Sequence, residues 1–132
     1  MSTTPPTILV VDDNKAVRTL ARQVLAPFAC TVTEAPNGLE ALFVMDPDLP
    51  DLIVLDINMP RMGGVQMLTM LKSKPQLAVI PVIMLASPTD HAVAGKIAAL
   101  GVQGTLLKPF APADLLEKIL AVLNLKPRSA AV

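Results

Sequence analysis

The chain has 132 residues, 52% of them hydrophobic, with 11 basic side chains balancing 11 acidic ones; that length fits one compact domain with a sizeable core and leaves no room for a second. Zero net charge argues against a broad electrostatic footprint for nucleic acid or anionic membrane, and three Phe without any Trp or Tyr offer few platforms for stacking bases. No apolar run reaches the roughly 18 residues of a membrane span, and no N-terminal stretch has the basic and long apolar character of a signal peptide.

The lone Cys30 cannot form an internal disulfide and reads as a small buried apolar residue. Nothing points to an oxidising compartment, and a cytoplasmic location is expected. Residues 1–7 read as a flexible lead-in and 126–132 as a frayed tail, which leaves 8–125 as the folded unit.

Ile8-Leu9-Val10-Val11 is a β-branched apolar run ended by Asp12-Asp13, as suits a strand buried on both faces. Val17, Leu20, Ala21, Val24 and Leu25 follow at helical spacing, with Asn14 placed as an N-cap. Cys30 to Ala35 reads as a second strand, less apolar and suited to an edge. Asn37 caps a short helix carrying Leu39, Leu42, Phe43 and Met45.

Leu52-Ile53-Val54-Leu55 is a third strand, ended by Asp56. A loop with Pro60, Gly63 and Gly64 leads to a helix bearing Val65, Leu68, Met70 and Leu71, which ends before Pro75. Ile80 to Leu85 is a fourth strand, with Pro81 near its start, where a missing N–H is tolerated. Thr89 or Asp90 caps a helix with Val93, Ile97 and Leu100, closed by Gly101. Val102 to Leu107 is the fifth strand. Pro112 fits the first turn of a last helix whose stripe is Leu115, Leu116, Ile119, Leu120 and Leu123. The four methionines Met59, Met62, Met67 and Met70 read as core filling, and His91 as a surface residue.

Five β-α units predict an α/β fold, a doubly wound five-stranded parallel sheet with helices on both faces. Ligands of such folds sit beyond the carboxyl ends of the strands. Asp12 and Asp13 end strand one, Asp56 ends strand three and Lys108 ends strand five. Convergent carboxylates repel one another unless a cation compensates. A hard divalent ion with oxygen ligands does so, and Mg²⁺ is the abundant choice. Such a cluster suits attack by a carboxylate on a phosphoryl donor, with Asp56 as nucleophile and Lys108 as a second positive charge.

These stretches resemble the receiver domain of two-component response regulators, the single-domain, CheY-like kind. The matching segments are Ile-Leu-Val-Val-Asp-Asp-Asn at 8–14, Leu-Ile-Val-Leu-Asp-Ile-Asn-Met-Pro at 52–60, Gly63-Gly64, Pro-Val-Ile-Met-Leu at 81–85 and Lys-Pro-Phe at 108–110. The resemblance implies the flavodoxin-like strand order 2-1-3-4-5. It implies Asp56 as phosphoacceptor, and Asp13, Asp56 and the Asn58 carbonyl as Mg²⁺ ligands, with Asp12 acting through water. It further implies that Lys108 binds the phosphoryl group and that the Lys108–Pro109 bond is cis.

Two positions depart from the family. Ala86 stands where Thr or Ser usually hydrogen-bonds the phosphoryl group, and Thr105 stands where Tyr or Phe usually swings inward. Ser87 reads first as an ordinary small loop residue, because one residue of register on a strand means the opposite face; with a local shift it is the candidate substitute for the lost hydroxyl. Asn58 and Pro88 occupy the positions that flank the attacking water in the family. Pro88 has no polar side chain, and slow self-dephosphorylation is expected.

The resemblance thus implies a phosphorylation-dependent binding module, not an enzyme, without an output domain of its own. Its donor is a histidine kinase, a phosphotransfer protein or a small acyl phosphate. Its output is contact with another protein, and it is a monomer or weak dimer that engages no nucleic acid or membrane. The alternative is a pseudo-receiver, a constitutive interaction module, favoured by Ala86 and Thr105 and opposed by the intact acidic residues and Lys108. A haloacid-dehalogenase-type phosphatase is disfavoured, because no acid lies two residues after Asp12 or Asp56. A flavodoxin is disfavoured too, because no phosphate-cradling loop follows the first strand.

Overall fold

The computed structural model describes residues 4–128. Strands β1 (Thr7–Val11), β3 (Leu52–Asp56) and β4 (Val82–Ala86) are almost wholly buried, whereas β2 (Thr31–Ala35) and β5 (Gly104–Leu107) are half exposed. All pair in parallel in the order β2-β1-β3-β4-β5. The least apolar strands therefore lie at the two edges, and the expected flavodoxin-like order is the observed one.

Strand residues alternate between the faces of the sheet. Ile8, Val10, Leu52, Val54, Ile83 and Leu85 enter one core, which α1 (Lys15–Leu25) and α6 (Pro112–Val122) cover with Ala21, Leu25, Leu115 and Ile119. Leu9, Val11, Ile53, Leu55, Val82 and Met84 enter the other. There they meet α2 (Gly38–Met45), α3 (Gly64–Lys72), α4 (Pro75–Ala78) and α5 (His91–Leu100). Each fully buried Leu or Ile contributes about 1.5–3 kcal/mol relative to exposure.

The expected caps form. Asn14 Oδ1 accepts from the Ala16 N–H and Asn37 Oδ1 from the Glu40 N–H, both at 2.9 Å. Pro112 opens α6, and Gly101 ends α5 at φ 88°. Met67 is fully buried, and Met59 and Met62 pack against the same core.

Several expectations need correction. A one-turn helix, α4, follows Pro75, because proline is suited to a helix's first position and Leu77 finds the core. Cys30 lies buried just before β2 rather than within it. β4 starts at Val82, since Pro81 has no N–H to offer the ladder and only its carbonyl accepts, from Ile53. β5 starts at Gly104, because the Gln103 side chain takes the Val82 N–H that a longer strand would have used. Leu39 and Phe43 face solvent, as the buried stripe of α2 is Gly38, Ala41 and Met45. Leu120 is also exposed, one position around the helix from buried Ile119.

Of the expected tail, residues 126–128 are hydrogen-bonded to the body, and 129–132 lie outside the described residues. The Ala29 N–H donates to the Lys126 carbonyl and the Arg128 N–H to the Pro27 carbonyl. The Arg128 guanidinium donates to the carbonyls of Ala26 and Cys30, each at 3.2 Å. Among the described residues, no helix is long and apolar enough to cross a membrane.

Arg128→Ala is expected to lower the unfolding free energy by about 1 kcal/mol, the worth of such hydrogen bonds. Urea unfolding of the two proteins measures the loss, and an unchanged midpoint would deny this anchor a part in stability.

Candidate functional site

Parallel strands bring their carboxyl ends to one edge, and each predicted acid lies there. The Asp12 N–H prolongs the β1–β2 ladder by donating to the Ala35 carbonyl. Asp56 is the last residue of β3, opposite Leu85 of β4. The Lys108 N–H donates to the Ala86 carbonyl at 2.7 Å, which fixes the lysine just beyond β5.

Asp12 is fully buried, Asp56 is 4% exposed and Asp13 is exposed. One carboxylate oxygen from each lies within 4.8 Å of the others. Lys108 Nζ sits 2.7 Å from Asp12 Oδ2 and 3.2 Å from Asp56 Oδ1. An all-oxygen set of three carboxylates is the donor chemistry that a hard cation such as Mg²⁺ takes, so the residues present fit that ion.

Burial pushes the Asp56 carboxyl up to about 6, and the neighbouring Asp12 charge adds to the rise; Lys108 and a hydrogen bond from the Asn58 backbone N–H oppose it. Burial alone would pull the Lys108 ammonium down. Its hydrogen bond to Asp12 and the charges of Asp12 and Asp56 outweigh burial and hold it above the ordinary lysine value.

The loop after Asp56 is held close. The Gly64 N–H donates to the Ile57 carbonyl at 2.9 Å, and a Cβ on Gly64 would lie 2.2 Å from the Asp56 carbonyl oxygen. Only glycine permits that approach. The Lys108–Pro109 bond is cis, as expected.

Ser87 directly follows β4, the strand between β3, which ends in Asp56, and β5, which Lys108 follows. Its N–H and its hydroxyl both donate to Asp90 Oδ2, at 2.7 and 3.2 Å. The Asn58 side-chain Nδ2 donates to both Asp90 oxygens at 2.9 and 3.1 Å and to the Ser87 hydroxyl at 3.5 Å. Asp90 stands at the N-cap of α5 as expected, but its carboxylate does not cap the helix; it turns back to Ser87 and Asn58. The Asn58 hydrogen bond in turn holds the Asp90 carboxyl below the usual range, against a lesser opposing effect of burial.

Ala86 is buried, while Pro88 and Thr105 are exposed. Ala86 and Thr105 line a hollow of about 510 Å³ between β5 and α5, closed by apolar residues that include Ile97 and Leu107. His91 also lines it, from the exposed start of α5.

Sequence reasoning missed two residues. Arg18 donates from Nη1 to the Asp12 carbonyl at 2.7 Å and from Nε to Glu34 at 3.0 Å, and Arg22 pairs with the same carboxylate. The signal was available: Arg18 and Arg22 are four apart on one face of α1, facing an acid on the polar edge strand. Asp90 was read as a cap, and its role as a bridge depends on loop geometry that no periodicity encodes.

Fold and site together define a receiver module of the CheY-like kind. The chain belongs to the response regulator receiver domain family, whose profile matches residues 8–120. It is 39% identical over 125 residues to the response regulator MprA of Mycobacterium bovis, covering 94% of this chain and 54% of that protein. It is 32% identical over 121 residues to the sensor histidine kinase TmoS of Ectopseudomonas mendocina, covering 92% of this chain and 12% of that protein. The chain thus spans about half the length of the curated response regulators it matches. The solved chemotaxis response regulator CheY4 of Vibrio cholerae superposes with a TM-score of 0.82 at 32% identity, covering 91% of this chain and all of that one. This is a receiver domain of two-component signalling.

The raised Asp56 carboxyl makes a pH prediction for metal-free protein. A carboxyl with a higher value folded than unfolded contributes stability below the unfolded value and loses it as pH rises through about 6. Asp56→Asn, which removes this burden, is expected to be more stable than the parent at pH 7 by up to about 3 kcal/mol. The gap should close towards pH 4. Unfolding curves in EDTA across that range measure it, and a gap that widens on acidification would contradict the assignment.

Proposed function

We propose that Asp56 accepts a phosphoryl group in a Mg²⁺-dependent reaction from a histidine kinase, a phosphotransfer protein or a small acyl phosphate. The observation that carries this reading is the placement of Lys108 Nζ on both Asp12 and Asp56, beside Asp13. A carboxylate oxygen of Asp56 forms the new bond to phosphorus. The donor's P–N or P–O bond breaks, and its imidazole or carboxylate leaves with the electron pair. The product is an acyl phosphate on the chain itself, so the chain is a phosphoacceptor and not a turnover enzyme.

Mg²⁺ would be held by Asp13, Asp56 and the Asn58 carbonyl, with Asp12 acting through water, and would supply positive charge against the carboxylates and the phosphoryl oxygens. Lys108 supplies the second charge, shifting its ion pair from Asp56 to a phosphoryl oxygen. Asp56 is buried, and the exposed Asp13 marks the side open to the donor. Ser87 is the hydroxyl available beside the phosphoryl group, since Ala86 has none. Asn58 and Pro88 govern lifetime: with no polar side chain at position 88, hydrolysing water lacks a partner and the phosphoryl group is long-lived. Output passes by protein contact, in a cytoplasmic setting.

Incubation with Mg²⁺ and acetyl phosphate should add one phosphoryl mass to the intact protein, absent in Asp56→Asn and strongly reduced in Lys108→Ala. No gain, or a gain that survives Asp56→Asn, would overturn the assignment and leave a constitutive interaction module.

After removal of donor, the phosphorylated protein is expected to keep its label for many minutes. Loss within seconds, followed by mass or phosphate release, would sink the idea that Pro88 protects it.

A further inference from the structure

Asn58 makes contacts in two directions. Its backbone N–H favours the charged form of Asp56, while its side-chain Nδ2 donates to both oxygens of Asp90 and, at 3.5 Å, to the Ser87 hydroxyl. Asp90 also accepts the N–H and the hydroxyl of Ser87. One carboxylate therefore joins the loop after β3 to the loop after β4. It occupies the side chains of Asn58 and Ser87, two uncharged polar groups on the loops that follow β3 and β4. A phosphoryl oxygen competing for the Ser87 hydroxyl must break a hydrogen bond to an anion, which is stronger than one to a neutral group. Asp90 is part-exposed and makes no cap bond to α5, so its placement serves the two loops and not the helix.

We infer that Asp90 is a positioning residue that clasps Ser87 and Asn58 in the unphosphorylated protein, and that Ser87 becomes a phosphoryl ligand only when this clasp opens. The inference rests on the proposed acceptor role of Asp56. It assigns to Asp90 a task absent from the family pattern that Ala86 and Pro88 have lost: setting when the loop after β4 engages the phosphoryl group. Charge repulsion alone makes a different forecast. Removing Asp90 would then speed phosphorylation by an anionic donor whether or not a hydroxyl stands at position 87.

The test follows phosphorylation by acetyl phosphate, at saturating Mg²⁺, in the parent, Asp90→Ala, Ser87→Ala and the double variant. Asp90→Ala should raise the rate about tenfold, the equivalent of one charge-assisted hydrogen bond released to the phosphoryl group. Ser87→Ala should cost more in the Asp90→Ala background than in the parent. Equal cost in both backgrounds, or a gain that persists in the double variant, overturns the clasp. A second readout needs neither metal nor donor. In Mg²⁺-free protein, Asp90→Ala should shift the Asn58 side-chain amide resonances and speed hydrogen exchange at the Ser87 N–H, and unchanged signals overturn the bridge. If no variant takes phosphate while these signals do move, the Asp56 reading falls and the bridge remains without its phosphoryl role. If the parent takes phosphate and neither readout responds, the clasp alone fails.

Discussion

The molecule is organised around one electrostatic conflict. Two carboxylates, on Asp12 and Asp56, are buried at the same edge of an apolar sheet, and a single ammonium group from Lys108 stands between them. Burying like charges together disfavours their ionised forms, and Asp56 bears the consequence in its raised carboxyl value. One lysine offsets part of two negative charges and leaves a residue of unmet charge. A site in that condition gains from any added cation and from a chemical step that consumes a carboxylate charge. The tension is therefore a store for function and a cost to the metal-free fold.

The sheet makes the conflict possible. Parallel strands put all their carboxyl ends on one side, and the crossover helices lie over the faces, so that edge stays open to ligands. Register does the fine placement. Asp56 is level with Leu85 on β4, and Ala86 lies opposite Leu107, so Lys108 extends one residue past the ladder, where its long stem can reach back across to β1. Arg18 completes the arrangement from behind, holding the Asp12 carbonyl and the edge-strand Glu34 at once. The acid is thus fixed by its backbone as well as by its charge partner.

What the sequence made legible was governed by patterns of short range. Buried strands read as apolar runs, helices as stripes of three and four, caps as Asn before a stripe, and the acidic cluster as charged residues placed where such runs stop. The strand order, and with it the convergence of Asp12, Asp13, Asp56 and Lys108, came from the resemblance to receiver domains and not from those patterns. What was not legible depends on which neighbour wins a particular hydrogen-bonding group. Gln103 shortened β5 by taking the Val82 N–H with its side chain, and Arg128 fastened a stretch of apparent tail by reaching the carbonyls of Ala26 and Cys30. Asp90 had the spacing of a cap and spent its carboxylate elsewhere. Leu39 and Phe43 show the same limit for apolar groups, since helix α2 buries Ala41 and Met45 and leaves the larger side chains outside.

The two departures from the family pattern act together. Ala86 and Thr105 face the same hollow between α5 and β5, so small side chains stand at both ends of what is elsewhere a hydroxyl-to-aromatic relay. A relay of that kind transmits by volume: one side chain moves in and another fills the space it vacates. With about 510 Å³ already open there, no aromatic ring has to make way before α5 can shift on the sheet. Close-packed interfaces switch between discrete arrangements because their volume is filled, whereas a hollow lined by Ile97 and Leu107 imposes no such discreteness. Any two states of the proposed switch would then be defined by polar contacts. Among the described residues, the contacts from the Asp56 loop to the start of α5 run through Asn58 and Asp90. If Asp56 is phosphorylated as proposed, the information that packing would carry is left to a carboxylate and two hydrogen-bond donors.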